Sequence, residues 1–197
     1  MSKNGAIVLA GGKGERFHGQ KQFTEINGKP LWRFVYDKLI NLVEKDNIIV
    51  VGVDCPGGIT RSRSVLEGLN RLHPSTERVV IAEAARPLVT LEQLKILFND
   101  SSPSTSFVLP LVNTVVRRDG GYINREELYE LLTPQAFDYK MITEAMNSEK
   151  FINMTDETRV MFEYFDIKPH FIETTENLIK VTYQRDIPII ERLLNEY

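Results

Sequence analysis

The chain has 197 residues, 42% hydrophobic and 26% charged, which is the composition of an ordinary globular protein. Its 24 lysines and arginines stand against 27 aspartates and glutamates, and this net charge of −3 argues against nucleic acid as a partner. With Cys55 as the only cysteine, no signal-peptide pattern and no apolar run of membrane-spanning length, we expect a cytoplasmic protein without internal disulfides or membrane contact.

In the first third of the chain, strand-length apolar runs alternate with segments of helical periodicity. AIVLA, residues 6–10, predicts a strand that is buried on both faces. Pro30 then begins a predicted helix with one apolar stripe. NIIVVGV, residues 47–53, predicts the second strand, and Ser64 with Glu67 forms a capping-box pattern that predicts the start of the next helix.

The alternation continues through the middle of the chain. RVVIAEA, residues 78–84, predicts a third strand, and Thr90 with Gln93 forms a capping box for the helix that follows. SFVLPLV, residues 106–112, predicts a fourth strand. The pattern so far is that of repeated strand–helix units.

The last third is less regular. The polar stretch after the fourth strand contains a Gly-Gly pair, so we expect residues 113–125 to project as a hairpin or arm. Asn124 predicts the start of a helix over residues 125–132. Part of 170–182 predicts the last strand, and residues 187–197 predict the closing helix. Strands that alternate with helices predict an α/β fold with a doubly wound, mostly parallel sheet, formed by residues 1–197 as a single domain.

Ligands of such sheets bind beyond the carboxyl ends of the strands, and a glycine-rich loop directly follows the first strand. Gly11, Gly12 and Gly14 let backbone N–H groups face an anion, and Arg16 and Lys21 can neutralise a phosphate chain. The loop lacks the spacing of a P-loop and the third glycine of a dinucleotide loop. Phosphate binding is the functional interpretation, and a tight turn with solvated basic residues is the structural one.

Two further clusters follow predicted strands. Gly58, Arg61 and Ser64 can present a backbone amide, a guanidinium and a hydroxyl to the edge of a base, although Ser64 also suits a helix cap. Glu83 ends the third strand, where a carboxylate can hold a divalent cation that faces phosphate oxygens. The alternative for Glu83 is a structural ion pair with Arg86.

Taken together, these segments resemble the 2-C-methyl-D-erythritol 4-phosphate cytidylyltransferases and the related ribitol-5-phosphate cytidylyltransferases. The shared segments, in family order, are LAGGKGERFHGQKQF, GGITRSRSVLEGL, EAARPLV, LVNTVVRR, INREELYELLTPQAF, MTDET and IKVTYQRDIPIIE. They touch nearly the whole chain. The combination of GGxxRxxSV, AARP, TPQ and KVT is the specific part, since glycine loops of this kind occur in many sugar nucleotidyltransferases.

The resemblance implies a Rossmann-like nucleotidyltransferase fold, CTP as substrate and Mg²⁺ as cofactor. CMP would pass from CTP to a polyol phosphate, and pyrophosphate would leave. The implied residues are Arg16, Lys21 and Lys180 for catalysis, Ala10, Gly11, Gly12, Gly14, Gly58, Arg61, Ser64 and Ala84 for nucleotide binding, and Glu83 for the metal. Thr114 and Arg125, on the arm, would contact the polyol phosphate of a partner subunit, which implies a homodimer.

Three departures from the family pattern bear on the substrate. Ala82 and Glu83 stand where the family has His-Asp, and Asn113 stands where it has Asp. The chain is also shorter than the family pattern before GGITR and in the arm, so a strand or a connection could be absent from the sheet.

Several functions remain open at this point. Methylerythritol phosphate, a precursor in isoprenoid synthesis, is the leading acceptor. Ribitol 5-phosphate or another polyol phosphate of wall or capsule polymers is the second. A nucleotidyltransferase for another sugar phosphate and base is a third alternative. A non-catalytic CTP-binding homologue is the alternative from a different class, against which the retained Arg16, Lys21 and Lys180 argue.

Overall fold

The structure is a computed structural model that describes residues 4–174 and 178–196. The strands are β1 Asn4–Leu9, β2 Glu25–Ile26, β3 Lys29–Pro30, β4 Ile48–Val51, β5 Arg78–Glu83, β6 Ser104–Pro110, β7 Val115–Val116, β8 Tyr122–Ile123, β9 Tyr129–Asp138 and β10 His170–Glu173. The α-helices are α1 Leu31–Leu39, α2 Arg61–Leu69, α3 Leu91–Asn99, α4 Tyr139–Met146, α5 Glu157–Phe165 and α6 Ile187–Glu196. In the described part of the chain, no helix is long and apolar enough to cross a membrane.

Six strands form the central sheet in the order β10-β6-β9-β5-β1-β4. β1 pairs parallel with β4 and β5, and β10 pairs parallel with β6. β9 lies antiparallel between β5 and β6. The predicted α/β fold with a mostly parallel sheet is therefore confirmed, with β9 as the reversed strand among those described.

The two faces of the sheet carry separate hydrophobic cores because successive strand residues point to opposite sides. On one face, Ala6 and Val8 of β1 belong to the cluster that includes Val35 of α1 and Leu94 of α3. On the other face, Ile7 belongs to the cluster of α2, α4 and α5. Helices on both faces leave the ends of the strands open for a ligand.

Helix α2 begins earlier than the sequence pattern suggests. Thr60 is its N-cap, and its hydroxyl accepts a hydrogen bond from the backbone N–H of Arg63 at 3.2 Å. The predicted Ser64–Glu67 capping box is therefore wrong. Ser64 lies one turn inside the helix, where its hydroxyl accepts from the backbone N–H of Gly58 at 3.0 Å. The Thr90–Gln93 capping box at the start of α3 is confirmed.

The helix predicted over residues 125–132 is also wrong. Asn124 caps only a single 3₁₀ turn, Arg125–Glu127, and the chain then enters β9. Tertiary pairing overrides the local pattern because β9 fills the space between β5 and β6, where Ala136 and Phe137 are fully buried. The segment that contains TPQAF is thus a core strand.

The C-terminal prediction is partly right. β10 covers only His170–Glu173 of the predicted strand region, and α6 confirms the closing helix. The family resemblance implies that Lys180 projects from the C-terminal strand, but Lys180 lies beyond β10 and outside the strands, so that placement is wrong. Residues 175–177 of that predicted region lie outside the described residues.

Residues 113–125 contain a small hairpin in which β7 and β8 pair antiparallel. All residues of this segment are exposed except Val115 and Ile123, which are half-buried. The segment follows β6 and leads into β9. A role of the arm in dimer formation stays a prediction, as does the single domain.

Candidate active site

A cavity of about 850 Å³ opens at the carboxyl ends of β1 and β5, which is within the usual range of ligand sites. The predicted residues that line it are Ala10, Gly11, Gly12, Gly14, Arg16, Lys21, Gly58, Arg61, Ser64, Glu83, Ala84 and Lys180. The fold thus brings the predicted nucleotide, catalytic and metal residues to one place. Their individual roles stay predictions.

The glycine loop after β1 is shaped by close backbone contacts. Gly14 has a φ of +64°, and a Cβ built there would lie 1.9 Å from the carbonyl oxygen of Gly19. A Cβ built on Gly12 meets no atom within 4 Å. Gly14 is therefore required by the turn itself, whereas Gly12 leaves open space beside the cavity.

The segment that carries Lys180 is held against the rest of the site by one backbone hydrogen bond and by the side chain of Arg86. The backbone N–H of Val181 donates to Ala85 at 2.8 Å. Arg86 donates to the carbonyl of Leu178, and its Nε donates to the hydroxyl of Thr133 at 3.0 Å. The structural interpretation of Glu83 predicts an ion pair with Arg86. The hydrogen bonds of Arg86 instead hold this segment in place.

Lys21 connects the glycine loop to the same segment. Its Nζ donates to the carbonyl oxygen of Val181 at 2.9 Å. Burial, followed by the nearby charge of Lys180, lowers the pKa of Lys21, although Glu83 opposes the shift. Positive charge is thus crowded here, which favours binding of an anion at this end of the cavity.

Glu83 lies between two cations. Its carboxylate contacts Lys180 Nζ through Oε2, and Oε1 lies 3.6 Å from Arg61 Nε. Burial raises the pKa of this carboxyl, but Lys180 and Arg61 outweigh burial, so the pKa of Glu83 lies below its ordinary value. Glu83 is ionised at neutral pH and is held at the end of β5.

A buried acid that sequence reasoning did not select stands behind Arg61. Glu157 Oε1 contacts Arg61 Nη1, and the side chain of Glu157 is only 1% exposed. Burial raises the pKa of Glu157, and Arg61 opposes that shift. In the sequence, MTDET indicates an ordinary helix start, and Asp156 does cap α5. Its burial distinguishes Glu157 from an ordinary exposed acid at a helix start, and this burial is seen only in the folded structure.

The loop between β4 and α2 forms another wall of the cavity. The bond from the Gly58 amide to Ser64 closes this loop, and a Cβ built on Gly58 would lie 2.4 Å from Arg63 Cβ. Ile59, between Gly58 and the cap Thr60, lines the cavity and is 94% exposed. The loop therefore offers an apolar side chain that the sequence analysis did not select.

Thr114 and Arg125 are not brought to this cavity within one subunit. Both are exposed residues of the arm, and neither is among the residues that line the cavity. Arg125 instead donates to the carbonyl of Val112. Their predicted contact with the acceptor of a partner subunit stays a prediction.

Backbone amides, Arg16, Lys21 and Lys180 converge on a space that suits a chain of phosphates. The mostly parallel sheet with this loop after β1 has the fold of the nucleotidyltransferases. A family model of 2-C-methyl-D-erythritol 4-phosphate cytidylyltransferase (IspD) matches residues 5–196, and the chain belongs to this family. The resemblance inferred from the sequence motifs is therefore confirmed.

Relatives of the chain carry the same description. It is 30% identical to a 2-C-methyl-D-erythritol 4-phosphate cytidylyltransferase of Clostridium novyi over 227 residues, which covers 98% of this chain and 97% of the relative. It is 29% identical to one of Thermotoga neapolitana over 223 residues, with 98% of each chain covered. Among solved structures, 4-diphosphocytidyl-2C-methyl-D-erythritol synthase from Anaerococcus prevotii superposes with a TM-score of 0.79 at 26% identity, covering 98% of this chain and 96% of that one.

Proposed function

We propose that this protein transfers CMP from CTP to 2-C-methyl-D-erythritol 4-phosphate in isoprenoid precursor synthesis. A phosphate oxygen of the acceptor would form a bond to the α-phosphorus of CTP, and the bond from that phosphorus to the bridging oxygen would break, which releases pyrophosphate. The observation that carries this proposal is the convergence of the family's nucleotide, catalytic and metal positions on one cavity.

The chain's residues act by positioning and by neutralising charge, which dominate phosphoryl-type transfer. The amides of the glycine loop, with Arg16 and Lys21, hold the triphosphate. Lys180 faces the α-phosphate and, with Lys21, stabilises the charge that develops there. The loop that carries Gly58, together with Ser64 in the first turns of α2, borders the cytosine.

Mg²⁺ fits this site as a cation shared between protein and substrate. Within 4–174 and 178–196, no group of three or more His, Cys, Asp or Glu side chains is placed to hold a metal. Mg²⁺ typically takes one or two carboxylates together with substrate phosphates, and the ionised Glu83 at the cavity supplies one. When bound, the cation would neutralise phosphate charge.

The acceptor site requires a second copy of the chain in this proposal. Thr114 and Arg125 lie on the exposed arm, so their contact with the polyol phosphate would be made at the cavity of the partner in a homodimer. The single cysteine, Cys55, which is free, supports a cytoplasmic location.

Product identification with an acceptor panel tests the proposal. The purified protein is incubated with CTP, Mg²⁺ and either 2-C-methyl-D-erythritol 4-phosphate or ribitol 5-phosphate, and the products are analysed by mass spectrometry. We expect the cytidine diphosphate adduct of methylerythritol. If only the adduct of ribitol formed, ribitol 5-phosphate would be the acceptor. CTP binding without any adduct would favour a non-catalytic homologue.

A further inference from the structure

The start of α2 is fastened to the segment that precedes α5. The hydroxyl of Thr60 donates to the carbonyl oxygen of Ile152 at 2.7 Å, and the hydroxyl of Ser62 donates to that of Met154. Ser62 is only 3% exposed. These contacts hold one wall of the cavity against residues almost a hundred positions later in the chain.

Glu157 adds a charged contact to the same junction. Its Oε1 contacts Arg61 Nη1, and its Oε2 is buried without a hydrogen-bond partner in the described structure. Burial of an unpaired carboxylate destabilises the fold because the charge loses its hydration. The charge of Glu157 is therefore balanced by its contact with Arg61. The guanidinium also faces Glu83, whose Oε1 lies 3.6 Å from Nε. One cation is therefore shared by two carboxylates, one inside the protein and one at the cavity.

We propose that Glu157 is a positioning residue of the nucleotide site, which acts by holding Arg61 away from full pairing with Glu83. This inference rests on the proposed function for the role of Glu83 toward Mg²⁺. An arginine has five N–H donors in a fixed plane, and the donors that Glu157 engages are not available to Glu83. Without the charge of Glu157, Arg61 pairs more completely with Glu83. The carboxylate of Glu83 then competes less well for a cation that accompanies CTP.

Glu157→Gln tests this because it removes the charge and keeps the size of the side chain. We expect the dissociation constant of CTP with Mg²⁺, measured by titration calorimetry, to rise roughly tenfold, while CTP binding in EDTA changes much less. The KM for CTP should rise with it, and kcat should change less than KM. Equal losses with and without Mg²⁺ would contradict the proposal.

Glu163→Gln is the matched control on the same helix. Glu163 pairs with Arg159 at 2.7 Å on the outer side of α5, so its loss should leave CTP binding unchanged. A double-mutant cycle provides the decisive comparison. If Glu157 acts through Arg61, Glu157→Gln should cost little further affinity in an Arg61→Gln background. An undiminished cost there would overturn the proposal.

Two further measurements distinguish a failure of this proposal from a variant that does not fold and from a failure of the proposed function. If Glu157→Gln does not fold, the cycle is run with Glu157→Asp, which keeps the negative charge on a shorter side chain. Its loss of CTP affinity should be smaller than the loss expected for Glu157→Gln. Calorimetric binding of CTP does not depend on turnover. A wild-type protein that binds CTP without releasing pyrophosphate would therefore contradict the proposed function, while the cycle would still decide the role of Glu157.

Discussion

Lys180 Nζ contacts Glu83 Oε2, and this pair of cavity-lining residues joins the C-terminal segment to the end of β5. The two side chains are 35% and 12% exposed, so the pair is only partly screened by water. A phosphate that binds Lys180 and a cation that binds Glu83 would each loosen the contact. With the roles proposed for Lys180 and Glu83, the pair would therefore couple occupation of the phosphate position to that of the metal position.

Glu83→Asp tests this coupling without a change of charge. Asp is one methylene shorter, so its carboxylate should reach Lys180 less well and leave the ammonium free for an anion. We expect inorganic tripolyphosphate to bind severalfold more tightly to Glu83→Asp than to wild type in EDTA, by calorimetry. Glu15→Asp, an exposed cavity residue, is the control and should leave binding unchanged. No gain for Glu83→Asp would show that the pair does not restrain Lys180.

Lys21→Ala should reduce turnover more than it weakens CTP binding. In the proposed mechanism the contact of Lys21 strengthens as charge develops in the transition state, and loss of one such preorganised donor costs roughly 100-fold in kcat. Lys13→Ala is the control, since Lys13 also lines the cavity and is exposed. Steady-state kinetics with CTP and the polyol phosphate measure both variants. An unchanged turnover number would remove Lys21 from the mechanism.

Two glycines of the same loop should respond to alanine in different ways. Gly12→Ala should preserve the thermal unfolding midpoint because its Cβ meets no atom within 4 Å, but the added methyl group should weaken CTP binding. Gly14→Ala should destabilise the protein, since its Cβ would lie 1.9 Å from the Gly19 carbonyl oxygen at a φ of +64°. Thermal unfolding and CTP titration separate the two effects. Unimpaired CTP binding by Gly12→Ala would place the triphosphate elsewhere.

Subunit complementation tests the role of the arm. Lys21→Ala inactivates the cavity of its own subunit, and Arg125→Ala removes the arm contact that the proposal assigns to the partner's cavity. When equal amounts of the two inactive variants exchange subunits, half of the dimers are mixed and each has one intact site. We expect about a quarter of the wild-type activity. Activity that stays at the level of the separate variants after verified exchange would show that Arg125 serves its own subunit.

The glycine loop could be read from the sequence because its signals are local. A continuous apolar strand, the glycines Gly11, Gly12 and Gly14 and basic residues follow one another within 6–21, and the end of a parallel strand is where ligands bind. The Thr90 cap was predictable for the same reason. Local patterns made Arg61 and Glu83 candidates with a structural alternative beside the functional one, and the family resemblance then supplied Lys180 and a role for each of the three.

What sequence reasoning missed depends on contacts between distant segments. The local sequence pattern predicts a helix over residues 125–132, because no feature of this segment indicates that β9 enters the sheet between β5 and β6. The sequence pattern predicts Ser64 as the N-cap of α2, whereas the hydroxyl of Thr60, four residues earlier, caps the helix in the structure. The segment MTDET is compatible both with a place near the site and with a helix start, and only the approach of α2 to α5 shows Glu157 as the buried partner of Arg61. Its distance from Arg61 in sequence hides the pair.

The most direct test of the whole account is pyrophosphate release by the purified wild-type protein with CTP, 2-C-methyl-D-erythritol 4-phosphate and Mg²⁺. We expect release that requires both substrates, equals the amount of cytidine diphosphate adduct formed and stops when EDTA removes the cation. Absence of release with this acceptor, or release at the same rate without any acceptor, would contradict the account.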